Sequence, residues 1–213
     1  MASCDCYVER GFKLEETDMS EEECLCEVCQ LAKMNKRQNR KLMDRFRYNS
    51  GELCYVDVSG PFVPSLLYKN VWMVVFVDAN SRLSVIDFIV EKDDKNIVRV
   101  ISDFVEVHGA FSKSRGISPI FFQSDNGELD SNKVKCYCMS NKIVQRFSAP
   151  YHSLSNGPVE RTIRKIKEMG RAMLFEKSMP QEYWQWAAGA AVFISNRVPM
   201  RYEGEWYREL STK

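Results

Sequence analysis

Leu53-Cys-Tyr-Val-Asp-Val58, then Val71-Trp-Met-Val-Val-Phe-Val77, then Leu83-Ser-Val-Ile-Asp-Phe-Ile-Val90 are the segments that decide the fold. The first is an apolar run stopped by Gly60-Pro61, which reads as a buried strand and a break. The second is almost continuously apolar, with β-branched and aromatic members, as a strand covered on both faces must be. Asn80-Ser81 makes a turn, so the third segment forms a hairpin-like pair with the second.

Working outward, Ile97, Val100, Ile101, Phe104 and Val105 recur at helical spacing, with Asp93 or Asp94 able to cap the helix and Gly109 able to end it. Residues 118–123 read as a fourth strand, 129–140 as a helix and Ile143–Phe147 as a fifth strand. Two helices follow, over 156–177 and 180–196, with Pro180 in the first turn of the second. An antiparallel opening followed by alternating helices and strands predicts an α/β domain: a mixed five-stranded sheet flanked by helices. This is the order of the RNase H-like fold. The core is expected over residues 51–199, with 200–213 as a C-terminal tail.

The remainder is organised by charge. Residues 1–23 are polar, acidic and aperiodic, and are expected to be loosely ordered; 24–50 read as a short helix or linker. Eight acids in 9–29 give way to seven bases in 33–47. That asymmetry suggests a polyanion contact in the basic stretch, against the plainer reading of a solvated linker. The net charge of +1 excludes nothing. A chain of 213 residues with 45% hydrophobic content buries a real core. The longest apolar runs, 71–77 and 187–194, are far too short to span a bilayer. No secretory leader is read, so the expectation is an intracellular protein without membrane partners. Its eight cysteines are then reduced thiols or metal ligands rather than disulfides. Cys54, Cys136 and Cys138 are expected to be plain buried thiols.

Three acids stand out of this frame. Asp57 sits in an otherwise apolar strand, where an ionised carboxylate is costly unless paired or metal-bound. Asp125 follows the fourth strand in Gln123-Ser-Asp-Asn-Gly127, at the carboxyl end where α/β sheets gather ligands. Glu160 opens the long helix. At about 100° per residue it shares one face with Arg164, Lys167 and Arg171. Val159, Ile163, Ile166, Met173 and Leu174 fall on the side that packs on the sheet. Each acid alone has an ordinary reading: an outward strand-end residue, an Asp-Asn-Gly turn, an acid near a helix N-terminus. Jointly, from three elements, they supply the hard oxygen ligands of a two-metal phosphoryl-transfer site. No Ser/His/Asp arrangement competes, since the histidines are His108 and His152 alone.

At these residues the chain resembles the integrase catalytic domain of retroviruses and retrotransposons, most closely the copia-type elements, over residues 26–199. Asp57-Val-Ser-Gly-Pro61 is similar to the first-aspartate motif of that family, and Phe76-Val-Asp-Ala-Asn-Ser-Arg82 to its second stretch. Ser124-Asp-Asn-Gly-Glu128 is similar to its second-aspartate motif. Ala149-Pro-Tyr151 with Asn156-Gly-Pro-Val-Glu-Arg161 resembles its glutamate motif. Arg171-Ala-Met-Leu174, Pro180, Trp184, Ala187-Ala188 and Asn196-Arg-Val-Pro199 follow the copia-type ending.

The resemblance implies a polynucleotidyl transferase using two Mg²⁺ or Mn²⁺ ions, which processes 3′ DNA ends and joins them to target DNA. It implies Asp57, Asp125 and Glu160 as the catalytic, metal-binding triad. Asn156 would order the loop beside the site, and Arg161, Arg164, Lys165, Lys167 and Arg171 would lie along DNA. It also implies a homo-oligomer, since two element ends are joined together. Integration belongs in the nucleus, with a cytoplasmic particle as an earlier station.

The chain departs from the family pattern in three places. Thirty-four residues (126–159) separate the second and third carboxylates, one fewer than the family has, with Gly127 running directly into Glu128. His152 stands where a small hydroxylated residue is usual. Cys26-x-x-Cys29 resembles half of the family's His-His-Cys-Cys zinc module, but no histidine precedes it. Zinc needs four ligands, so 24–50 reads as a module remnant, its reading frame opening inside an ancestral zinc module. These departures keep a second reading open: a degenerate copy that folds but serves only as a DNA-binding or interaction module. A structure-specific nuclease of the same fold fits the carboxylates but not the copia-type ending.

Overall fold

Five strands make one sheet in the spatial order β3-β2-β1-β4-β5: β1 is Leu53–Ser59, β2 Trp72–Asp78, β3 Ser84–Ile89, β4 Ile120–Ser124 and β5 Ile143–Phe147. The computed structural model describes residues 48–109, 120–125, 128–147, 156–198, 200–202 and 205–207. The expectations for 1–23 and 24–47, with Cys26, Cys29 and the basic stretch, lie outside the described residues, as do Gly127 and His152.

β1, β2 and β3 are antiparallel neighbours, with Asp57 opposite Val75. β4 lies parallel to β1 on its other side, and β5 parallel to β4 at the edge. Parallel pairs require crossovers. These contain α1 (Asp94–Phe104) and α2 (Asn132–Ser140), which pack on one face with Cys54, Val56, Val74, Phe76 and Phe122. The other face carries Leu53, Tyr55, Met73, Val75 and Val77 beneath α3 (Gly157–Glu176) and α4 (Trp184–Arg197). Both faces are buried, which is why β1 and β2 read as continuous apolar runs rather than as alternating ones.

Local chemistry sets the helix ends. Asp93 caps α1 by accepting the Asn96 N–H at 3.0 Å. The helix does not run to Gly109 as one element: Val105–Gly109 is wound as a π turn. There Phe104 stacks on Phe76 at 4.2 Å, and His108 lies against Phe104 at 5.0 Å. The helix expected over 129–140 is split. Glu128–Asp130 form a 3₁₀ turn, and Ser131 restarts the helix by accepting the Val134 N–H at 3.3 Å. Pro180 stands outside α4, ahead of a 3₁₀ turn over Gln181–Tyr183. Asn196 in the last turn of α4 clamps the edge strand: its Oδ1 accepts the Ser84 N–H at 3.0 Å and its Nδ2 donates to Ser84 O at 2.7 Å.

One expectation is corrected. Cys136 is exposed, because α2 turns Val134 and Cys138, four residues apart, to the core and leaves Cys136 between them on the outer side. The tail over 200–213 contains structure: Met200–Tyr202 pairs antiparallel with Glu205–Tyr207 as β6 and β7. Two short aromatic segments separated by Glu203-Gly204 are the sequence signal of a hairpin.

Candidate functional site

Register brings the two aspartates to the same end of the parallel strands. β1 and β4 pair in parallel with Leu53 beside Phe121, Cys54 beside Phe122 and Tyr55 beside Gln123. Asp57 and Asp125 each follow the last of these pairs by two residues, Asp57 within β1 and Asp125 just past the end of β4. Side chains alternate along a strand, so Asp57 shares a face with Leu53 and Tyr55, which pack beneath α3. Phe121 packs on that face too, and Asp125 follows it by the same alternation. Glu160 stands on the first turn of α3, fixed over the sheet by buried Val159 and Ile163.

Asp125, Glu160 and Lys167 all act on the Asp57 carboxyl. Asp57 is half-buried, and Asp125 and Glu160 are exposed. Burial pushes the Asp57 carboxyl up to about 6. The Val58 N–H, donating to Asp57 Oδ1 at 2.8 Å, pulls it back. The negative charges of Asp125 and Glu160 push it further up, and the ammonium of Lys167 pulls it down. A strand residue, a strand-end residue and a helix residue thus share one local field, with a lysine from the helix.

A divalent cation suits this donor set: three carboxylates, oxygen ligands only, with the proton affinity of Asp57 raised first by burial. Among the described residues, no group of three His, Cys, Asp or Glu side chains is drawn close enough to hold a metal ion.

The residues proposed to lie along DNA divide into three kinds. Asn156 is 3% exposed, at the start of α3, and its Oδ1 has no hydrogen-bond partner. It is a buried polar group at the helix entry rather than part of the surface, and its side chain makes no capping hydrogen bond. Arg164, Lys167 and Arg171 are exposed on the stripe that begins at Glu160. Arg161 and Lys165 are also exposed but lie on the flank of the helix, roughly 100–140° round from Glu160. The sequence reading missed the loop after Asp57. Gly60 has φ of +149°, and a Cβ there would meet the Trp72 ring and Val71 O, both at 2.6 Å. Phe62 follows, stacked on Trp184 at 4.3 Å and facing Lys167. The glycine of the Asp57–Pro61 motif was the available signal; its partners lie far along the chain.

No family model matches the chain. It is 29% identical over 182 residues to the retrovirus-related Pol polyprotein from transposon TNT 1-94 of Nicotiana tabacum, covering 84% of this chain and 13% of that protein. It is 31% identical over 150 residues to the retrovirus-related Pol polyprotein from transposon RE2 of Arabidopsis thaliana, covering 70% of this chain and 10% of that one. The chain therefore spans about a tenth of the length of these relatives. Among solved structures, it matches the catalytic core domain of HTLV-2 integrase, in a trimeric form in complex with magnesium. The TM-score is 0.54 at 19% identity, over 73% of this chain and 93% of that one. The mixed sheet and its flanking helices are thus the fold of integrase catalytic cores, and this chain is an integrase-like core related to the Pol polyproteins of copia-type plant retrotransposons.

Proposed function

We propose that this core is a metal-dependent polynucleotidyl transferase that trims the 3′ ends of element DNA and joins them to target DNA. The observation that carries the proposal is that Asp57 and Asp125 stand at the same end of the parallel strands β1 and β4, on the face crossed by the Glu160 helix. Asp57, Asp125 and Glu160 would hold two Mg²⁺ or Mn²⁺ ions. Bound there, such ions activate the attacking oxygen and stabilise the leaving 3′-oxygen of an in-line displacement. The magnesium in the HTLV-2 core supports this choice of cation. Arg164, Lys167 and Arg171 neutralise phosphates and set the duplex in register without reading its sequence. Arg161 and Lys165 extend the basic surface on the helix flank, and Asn156 orders the entry to α3.

Joining two ends requires at least two cores, so the working form is a homo-oligomer, and its place of action is the nucleus, where target DNA lies. A second reading, an inactive copy serving as a DNA-binding module, is favoured by the shortened 125–160 spacing.

The test is 3′ processing and strand transfer by the purified chain, with Mg²⁺ or Mn²⁺ and a duplex carrying an element end, against Asp57→Asn. Activity present in the wild type and lost in the variant supports the transferase. Equal activity in both removes Asp57 from the chemistry. No activity in either, with DNA binding retained, selects the second reading.

A further inference from the structure

Lys167 lies on the same exposed stripe of α3 as Glu160, and its ammonium is 5.3 Å from the centroid of the Phe62 ring. Phe62 itself is fixed. Its N–H donates to Val71 O at 2.7 Å. Its ring stacks on Trp184, with centroids 4.3 Å apart and planes at 22°. The carbonyl of the next residue, Val63, accepts the Trp184 indole N–H at 2.8 Å. Trp184 is buried and meets Phe88 of β3 edge-on at 5.4 Å. The loop that leaves β1 after Asp57 therefore presents an anchored aromatic face to the helix.

A lysine side chain is long, flexible and rich in rotamers, so an ammonium needed at one place is costly to hold there. A fixed aromatic face within about 6 Å attracts a cation through its quadrupole and restricts it. From this geometry we propose that Phe62, backed by Trp184, is a positioning residue that holds the Lys167 ammonium for its phosphate contact. The proposal rests on the reading of the α3 stripe as a DNA face. Phe62 touches no reacting atom and acts only through Lys167.

The experiment uses the full chain in four forms, wild type, Phe62→Leu, Lys167→Gln and the double variant, with Phe62→Tyr as the conservative control. NMR of the lysine ε-methylene protons reads whether the Phe62 ring current shifts Lys167 upfield. Affinity for a duplex is measured alongside. The expected result is an upfield shift in the wild type and Phe62→Tyr that disappears in Phe62→Leu. Phe62→Leu weakens DNA binding about two- to fivefold, Phe62→Tyr does not, and Phe62→Leu has no further effect when Lys167 is already Gln. A Lys167 shift unchanged in Phe62→Leu, or an affinity loss fully additive with that of Lys167→Gln, overturns the proposal. If Lys167→Gln binds DNA as the wild type does, the DNA reading of the stripe is overturned instead, and the ring-current result still decides whether Phe62 holds the ammonium. Phe62→Met, which fills similar space without a ring, replaces Phe62→Leu should that variant not fold.

Discussion

Asp57 and Asp125 each lie two residues beyond the paired Tyr55 and Gln123 of the parallel strands β1 and β4, Asp57 inside β1 and Asp125 one residue past the end of β4. Carboxylates gathered at one end of a sheet repel unless a proton or a cation offsets their charge. Burial raises the Asp57 carboxyl to about 6, and the negative charges of Asp125 and Glu160 add to that rise.

Asp57 therefore weakens the fold in the absence of metal. From its ordinary value of 3.8 to about 6, the folded protein keeps a proton that the unfolded chain releases. Stability then falls as pH rises across that window and stays reduced above it. Asp57→Asn removes this cost. Near pH 7 in chelator, the variant is expected to be more stable by about 1–2 kcal/mol, after allowing for solvent screening of a partly exposed group. The advantage should vanish below about pH 4. Thermal unfolding of both proteins across this range checks the sign.

Gly60 turns the chain out of the sheet immediately behind the site. With φ at +149° and the Trp72 ring and Val71 O at 2.6 Å from any Cβ, no larger residue fits. Gly60→Ala is expected to lose at least about 2 kcal/mol of stability, read by denaturant unfolding, and to lower activity by disturbing the exit from Asp57.

Asn196 satisfies both backbone groups of buried Ser84 on the β3 edge. Asn196→Ala leaves a donor and an acceptor without partners, and is expected to cost about 2–3 kcal/mol. Asn196→Asp keeps the bond from the Ser84 N–H but sets a carboxylate against the carbonyl, and should recover little. Equilibrium unfolding of the two variants separates these outcomes.

The helix stripe makes a distinct claim about DNA. Lys167→Gln, Arg164→Gln and Arg171→Gln should each weaken duplex binding and reduce its salt dependence by about one phosphate's worth of slope. Lys165→Gln, on the flank, should change the slope less. Asn156→Ala should act on folding and catalysis while leaving the slope unchanged, because Asn156 is buried.

Much of this was legible in the sequence because the relevant signals are local. Continuous apolar runs placed β1, β2 and β3 within about two residues, the Asp93 cap marked the start of α1, and period 3.6 put Glu160, Arg164 and Lys167 on one stripe of α3. The acids could be grouped because each lies in a short motif on its own element. What stayed hidden depends on pairing between distant segments. Nothing near Phe62 announces Trp184 or Lys167, and nothing near Ser84 announces Asn196. Cys136 was misassigned because its neighbours are apolar or half-buried, while the helix phase alone decides which of them face inward. The break before α2 was missed because Ser131, a capping residue, stands within an otherwise helical pattern.

The central claim is that Asp57, Asp125 and Glu160 form one divalent-metal site. Titration of the purified chain with Mn²⁺, followed by electron paramagnetic resonance of the free ion, tests it on the wild type, Asp57→Asn, Asp125→Asn and Glu160→Gln. The expected result is binding by the wild type and a loss of roughly tenfold or more in each variant, as the removal of a ligand requires. Binding by Glu160→Gln or Asp125→Asn equal to that of the wild type would contradict a shared site.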